Sequence, residues 1–449
     1  MKQSNVHIIS LGCPKNLVDS EVMAALLAKG GYGITSRVDQ AHIILINTCA
    51  FILSAKEESI DEILKMAEWK KRQKGACTYL VVTGCLPQRY GRGLEKELPE
   101  VDLFLGVGEV GNIVHHLDGL SQTEASGRRS IIGKPDYLMN AQTPRLISTP
   151  SYTSYMKIAD GCSNRCSYCV IPAVRGKARS REPEDILMEA ESLSMRGVKE
   201  VIITAQDTTA YGRDLKGKPN LGDLLRGLAS IRGIGWIRLL YSHPAGLTDE
   251  ILKSMAGYEN ICKYIDIPIQ HIDDEILASM KRRGGSDLIK KAIQRAREII
   301  PGVALRTSII VGFPGETRAK FNKLLSFIKE TRFDHLGVFT YSKEDGTKAA
   351  SYPSRISERE KEMRRQNLME EQSVISYEIN QALIGSIQEV LIEGKSEIPD
   401  YLYVGRCSRQ SPEIDGVTHL KGESPATGSL VRCKITATTE YDLFAEVLR

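Results

Sequence analysis

The chain has 449 residues, 42% of them apolar and 26% charged, with a net charge of +4. These values predict a folded protein of two to four domains, and the charge is too small to announce a nucleic-acid binder. No stretch approaches the roughly 20 apolar residues that span a bilayer, and the N-terminus carries no secretory pattern, since His7 and Ser10 interrupt its early apolar run. Ten cysteines are present. In a reduced, cytoplasmic setting they predict metal-binding thiols, not a disulfide framework.

The first 120 residues repeat one plan three times. Val6–Cys13, His42–Cys49 and Thr78–Cys85 are short apolar runs that each end at a cysteine, spaced 36 residues apart. Such Ile/Val-rich runs read as buried strands of a parallel sheet, and the spacing is that of a βα unit. Helical segments are expected over 19–29, with Asp19 or Ser20 as N-cap, over 54–74 and near 93–98. Gly84-Cys85-Leu86-Pro87 reads as a tight loop. Cys13, Cys49 and Cys85 then lie at the carboxyl ends of neighbouring strands, the edge at which open α/β sheets bind ligands. The alternative for each is an ordinary buried cysteine, which is the reading for Cys77, placed before its strand. From Asp118 to Ser154 the chain is polar and aperiodic, as in a connection between domains.

Ala159–Pro172 holds Cys162, Cys166 and Cys169 on one short loop. Three thiolates can hold three irons of a cubane and leave the fourth open. A structural zinc site, the alternative, ordinarily has a fourth Cys or His, and none lies within 40 residues on either side. A strand is expected over 155–159, running into the loop, and further strands beyond it over 200–205, 236–240, 264–269, 304–311 and 335–341. Helices are expected over 183–195, 221–231, 248–256, 273–280 and 317–331. Alternating strands and helices imply a parallel sheet, and six strands are too few for a closed eight-stranded barrel. Polar and glycine-rich groups fall at the strand ends: Gln206, Asp207, Thr208 and Thr209; Tyr241, Ser242 and His243; Gln270 and His271; Gly312, Gly315 and Glu316; and Tyr341. For His243, His271 and Tyr341 the reading is open between pocket lining and hydrogen-bonded turn residue, and for the two glycines between turn and close approach to a ligand. Arg175, Lys177, Arg179 and Arg181 form a basic loop that either neutralises charge beside the cysteines or lies in solvent.

A charged helical stretch over 354–383 leads to short period-two strands at 386–393, 401–406, 430–437 and 443–448, a small all-β barrel. From Ser373 to Arg449 there are seven Lys and Arg against eleven Asp and Glu. An acidic domain suits a basic partner and not RNA. Cys407 and Cys433 read as packing residues.

The Cys162–Cys169 spacing resembles that of the radical S-adenosylmethionine (radical SAM) enzymes, and the cysteine triad before it resembles the methylthiotransferase family. Leu11-Gly-Cys-Pro-Lys-Asn-Leu-Val-Asp-Ser-Glu21 is similar to the branch that modifies a ribosomal protein, and Ala205–Gly212 is again similar to the family. The resemblance implies an α/β fold class: an N-terminal open parallel α/β domain (1–120), a linker (121–150), a partial (βα)6 radical SAM barrel (151–372) and a TRAM barrel (373–449). It implies two 4Fe–4S clusters, one on Cys162, Cys166 and Cys169 and an auxiliary one on Cys13, Cys49 and Cys85. S-adenosylmethionine is bound at the open iron. Tyr168 is implied at its adenine, with Gln206, Asp207, Gly312, Gly315 and Glu316 as further cofactor-binding residues. In the implied reaction an electron from a donor such as flavodoxin or ferredoxin splits S-adenosylmethionine. The 5′-deoxyadenosyl radical takes hydrogen from the β-carbon of an aspartate in ribosomal protein S-twelve. Sulfur held at the auxiliary cluster is delivered as a methylthio group, methylated by a second S-adenosylmethionine. No membrane and no direct nucleic-acid role are expected. The rivals are a tRNA adenosine methylthiotransferase built from the same parts and a non-catalytic metal-binding, ribosome-associated protein.

Overall fold

The computed structural model describes residues 4–71, 75–120, 129–353, 355–422 and 426–448. Residues 72–74 of the helix expected over 54–74, 121–128 of the expected connection and Ser354 lie outside the described residues.

The three apolar runs are central strands of a six-stranded parallel sheet. Its order is Gly33–Ile34, Asn5–Ser10, Ile43–Thr48, Tyr79–Gly84, Leu103–Leu105, Ser130–Ile131. Ile43–Thr48 is buried along its whole length. Ile43 and Leu45 pack with Val18, Val22 and Met23 of helix Pro14–Lys29, while Ile44 and Ile46 pack with Ile63 and Met66 of helix Leu53–Lys71. A strand covered on both faces must be apolar at every position, which is why this run does not alternate.

Three local expectations are corrected. The first helix begins at Pro14, directly after Cys13, and neither Asp19 nor Ser20 caps it. Proline suits the first helical position, where its missing N–H is not needed. Cys85 opens helix Cys85–Tyr90 instead of sitting in a loop, with Pro87 in the first turn. The expected connection contributes Ser130–Ile131 to the sheet edge.

The central unit has the six expected strands, Thr153–Lys157, Glu200–Thr204, Trp236–Leu239, Tyr264–Asp266, Ala304–Val311 and His335–Thr340, parallel and side by side in chain order. A bridge from Ile237 to Ile261 and the Ser242 N–H to the Asp266 carbonyl (2.9 Å) join the two halves. Among the described residues no ladder joins the first strand to the last, so the barrel is an open arc. Thr248 caps its helix as expected, accepting from the Ile251 N–H. The sequence reading missed helix Gly285–Ile299, which buries Ile289, Ala292, Ile293 and Ala296, the one-face spacing of an amphipathic helix.

The N-terminal unit grips both margins of the arc. Beside the first strand, Lys157 and Arg175 hold Asp19. After the last strand, Glu344 receives Lys56 and Arg89, each at 2.8 Å.

The C-terminal unit is a closed five-stranded barrel, with Thr418–Lys421 as a strand the sequence reading lacked. Helix Glu358–Gln381 is continuous through the expected boundary at 372. Gln372 donates to the Phe333 carbonyl in the central unit (2.7 Å), and Gln381 donates to Thr438 in the C-terminal one (3.0 Å). The small barrel docks on the starting ends of the arc strands. Trp236 donates to Glu389 and Tyr264 to Asp415, and fully buried Glu200 is held by Arg238 (2.8 Å) and Arg406 (2.6 Å).

Glu389 and Asp415 are therefore engaged against the central unit, and Glu393 is paired with Arg406 of its own barrel. Part of the acidic excess expected to face a partner is neutralised within the chain. Burial opposes ionisation of Glu200, but Arg406 and Arg238 override it and hold the carboxyl down at about 2. Its contribution is present at neutral pH and is lost as pH falls from the ordinary 4.5 toward about 2. Glu200→Ala is expected to cost about 3–5 kcal/mol, because Arg238 is left buried without a carboxylate and Arg406 keeps only Glu393. Urea unfolding checks this, and a loss within about 0.5 kcal/mol, the range of surface substitutions, would refute it.

Candidate active site

Register brings the first three cysteines together. Ser10 pairs with Asn47, and Asn47 with Thr83, so Cys13, Cys49 and Cys85 follow equivalent points of adjacent strands. Gly12 has φ +89°, and a Cβ there would lie 2.5 Å from Cys49 Cβ and 2.9 Å from its Sγ. Gly84 has φ +100°, and a Cβ there would lie 2.4 Å from Asn47 Oδ1. Only glycine lets the backbones close in this way. Two asparagines that the sequence reading gave no role tie the loops. Asn16 Nδ2 donates to the Leu11 and Thr48 carbonyls, both at 3.0 Å, and Asn47 Nδ2 to the Asn16 carbonyl and Ser20 Oγ, both at 2.9 Å. Cys13 acts on both of the other thiols, and Cys85 acts on Cys49. Burial, reinforced by Cys85 and Cys13, pushes Cys49 up to about 12. Burial also raises Cys85, against the pull of Arg175. At Cys13, Lys15, Arg175 and two backbone N–H groups outweigh burial and lower the thiol. Cys77 stands apart, its thiol against the Tyr79 carbonyl.

Cys162, Cys166 and Cys169 lie on the loop between Ala159–Asp160 and helix Ile171–Val174. Gly161 (φ +78°) allows the tight entry, since a Cβ there would sit 2.2 Å from the Lys177 carbonyl. The Cys162 N–H donates to the Gly176 carbonyl (3.0 Å) and that of Cys169 to the Cys166 carbonyl (3.2 Å). Burial raises Cys162 and takes Cys169 to about 12, and neighbouring thiols add to both. Among the described residues no three Cys, His, Asp or Glu side chains converge on a point that one ion could occupy. A cubane asks for a different arrangement, thiolates set around an open space and each ligating its own iron. Two sets of three cysteines on closely spaced strand-end backbone fit that demand, and raised thiols would release protons on loading.

A buried polar chain connects the triads. Arg175 NH1 donates to Asp19 (2.8 Å) and Asp160 (2.9 Å), and its NH2 to Asn16 Oδ1, which is 3.8 Å from Cys85 Sγ. Asp160 also accepts from Lys157 (3.1 Å), Gln206 (2.9 Å) and the Gly161 N–H (2.8 Å), one residue before Cys162. Burial would raise Asp160, but Arg175 and Lys157 hold it well below the carboxylate range. Of the basic loop, Arg175 and Arg181 are thus internal ion-pair residues. Arg179 binds the Arg175 and Lys177 carbonyls, and Lys177 is exposed.

At the carboxyl ends of the arc strands, Gln206 Oε1, Ser242 Oγ, His271 Nε2 and Tyr341 Oη are buried without a hydrogen-bond partner. Native proteins rarely leave such atoms unpaired, and four at one end of a barrel fit a polar ligand. Tyr241 and Gln270 hold φ of 61° and 71° at adjacent strand ends, strain that clusters at functional sites. Phe313, missed from sequence, stacks edge-on with Tyr341 (5.1 Å), Tyr352 (6.3 Å) and Tyr168 (6.5 Å), which places Tyr168 in an aromatic wall. Asp207 accepts from Asn164 of the cysteine loop and from Thr209, both at 2.7 Å.

Other candidates are engaged locally. His243 Nδ1 accepts from the Ala245 N–H and His271 Nδ1 from the Asp273 N–H. Burial and Arg282 bring His243 down to about 4, so it is neutral at pH 7. Glu316 turns inward, accepting from the Gly312 N–H and facing Arg364 at 3.3 Å. Gly312 (φ +74°) is crowded by Lys361, while Gly315 (φ +90°) has only Ile276 within 4 Å of a Cβ.

Three family models match the chain: the radical SAM superfamily over residues 156–328, the uncharacterized protein family UPF0004 over 5–106, and the TRAM domain over 384–448. The fold is similar to the radical S-adenosylmethionine methyltransferase TsrM from Kitasatospora setae, with TM-score 0.56, 14% identity, and 75% of this chain and 73% of that one covered. The ribosomal protein uS12 methylthiotransferase RimO of Syntrophus aciditrophicus is 62% identical over 451 residues, covering 100% of this chain and 99% of that protein. The RimO of Geobacter sulfurreducens is 49% identical over 446 residues, with 99% of each covered. The match covers the chain from end to end, and the chain belongs to the RimO family of methylthiotransferases within the radical SAM superfamily.

Proposed function

We propose that this enzyme adds a methylthio group to the β-carbon of an aspartate in ribosomal protein uS12, the ribosomal protein S-twelve of the sequence reading, in the cytoplasm. Membership of the radical SAM superfamily brings S-adenosylmethionine and a 4Fe–4S cluster. Cys162, Cys166 and Cys169 are the residues to hold that cluster, and Cys13, Cys49 and Cys85 a second one. When bound, these groups supply the radical, the sulfur and the methyl. The protein's work is to hold them in register and to keep water out. The observation that carries the reading is two cysteine triads on facing strand-end edges, joined by the buried chain from Asn16 through Arg175 to Asp160. Tyr168 and Phe313 offer an aromatic face, Gln206 and Asp207 offer polar contacts, and Gly312, Gly315 and Glu316 shape the loop beside them. Flavodoxin or ferredoxin is the class of electron donor.

The test is a comparison of substrates. Reduced enzyme is incubated with uS12 and, separately, with unmodified tRNA, and each product is weighed. Mass gain of one methylthio group on uS12 alone is expected. Gain on tRNA alone would make this the adenosine-modifying relative. Zinc in place of iron after anaerobic reconstitution would make it a metal-binding protein without this chemistry.

A further inference from the structure

Lysine and arginine are almost never buried unless paired. Eight of them are buried among the described residues, and seven form ion pairs with carboxylates. The exception is Lys15. It is 7% exposed, and its Nζ lies 3.6 Å from the centroid of the Tyr241 ring. A ring face attracts a cation, but it does not replace the water that an ammonium gives up on burial.

Tyr241 and Cys13 are the favourable partners of Lys15, neither of them a carboxylate, and the location makes that informative. Lys15 is in the first turn of the helix that Cys13 precedes, at the edge of the first triad. Tyr241 belongs to the carboxyl end of the arc, the side on which Cys162 lies, and its strained backbone is pinned by its N–H to Asp266 Oδ2 (3.0 Å). Lys15 therefore stands where the edge of the first triad meets the carboxyl end of the arc. The neighbouring cation, Arg175, is already taken up by Asp19, Asp160 and Asn16.

We propose that Lys15 seats the side-chain carboxylate of the substrate aspartate, fixing the adjacent β-carbon between the two triads. This rests on the uS12 reading above and deepens it. The carboxylate is one bond from the reacting carbon, so a single ion pair orients that carbon. The Tyr241 ring keeps the ammonium in place before substrate arrives, so little ordering cost remains at binding.

The test is equilibrium binding of fluorescently labelled uS12 to the reconstituted enzyme, beside uS12 with the target aspartate changed to asparagine. Wild-type enzyme is expected to prefer the aspartate form by about tenfold or more, the scale of a charge-assisted hydrogen bond. Lys15→Gln should bind both forms equally, and Lys15→Arg should recover part of the preference. The electron paramagnetic resonance signal of the cluster on Cys13, Cys49 and Cys85 should be the same in Lys15→Gln as in wild type. A preference that persists in Lys15→Gln overturns the proposal. So does a changed signal with unchanged preference, which would make Lys15 a counter-charge to the thiolates. If wild-type enzyme leaves uS12 unmodified in the mass assay, the uS12 reading fails and this one with it. If uS12 is modified and only the preference test fails, the substrate stands and the role of Lys15 falls alone.

Discussion

Cys162→Ala is expected to abolish reductive cleavage of S-adenosylmethionine while leaving the fold in place. Cys162 is 8% exposed, and its backbone N–H stays tied to the Gly176 carbonyl whatever its side chain. Removing one sulfur from this position should cost about 1 kcal/mol of stability, the centre of the range for single substitutions. Its chemical consequence is larger, because two thiols cannot do the work of three. Iron analysis after anaerobic reconstitution should fall from about eight atoms per chain, as two cubanes require, to about four. Chromatography should find no 5′-deoxyadenosine. A variant that cleaves S-adenosylmethionine at the wild-type rate would remove this loop from the centre of the mechanism.

Cys13→Ala is expected to separate the two halves of the chemistry. Cys13 belongs to the N-terminal sheet and is linked to the Cys162 loop through Asn16, Arg175 and Asp160, none of which the substitution alters. Cleavage of S-adenosylmethionine should continue, the iron content should again fall to about four, and methylthio transfer to uS12 should drop to background. Mass spectrometry of uS12 beside a 5′-deoxyadenosine assay reads both outcomes from one reaction. Continued sulfur insertion by this variant would deny the triad its part in the transfer.

Both cysteine sets were legible in the sequence for different reasons. Cys162, Cys166 and Cys169 sit on one loop, and local spacing is enough to bring them together. Cys13, Cys49 and Cys85 are 36 residues apart, and their meeting was legible only because the strand pattern repeats with them. Where no periodic signal existed, the reading missed. Gly33–Ile34, Ser130–Ile131 and Thr418–Lys421 are too short to show alternation, and they are strands because a neighbouring edge supplies their hydrogen bonds. Asp19 is a good N-cap residue type, yet Pro14 started the helix one turn earlier and left Asp19 to pair with Lys157 and Arg175. Glu316 is expected beside the cofactor from its place in the loop, and the tertiary structure adds two neighbours for its side chain, the Gly312 N–H and Arg364, the latter 48 residues on.

By itself the sequence determined the order of units and the parallel character of both α/β parts, and it singled out the six thiols proposed to hold the clusters. All of these follow from local hydrophobic period and from residue types with few alternative uses. The tertiary structure alone decided that the small barrel closes the starting ends of the arc, away from the cysteines, with its acidic residues partly spent on that docking. It also decided that Arg175 links the triads while Lys15 is left without a carboxylate. Both are lysine or arginine on basic, polar loops in the sequence. Only the positions of Asp19, Asp160 and Tyr241, brought in from distant strands, distinguish a neutralised charge from one that is still waiting for an anion.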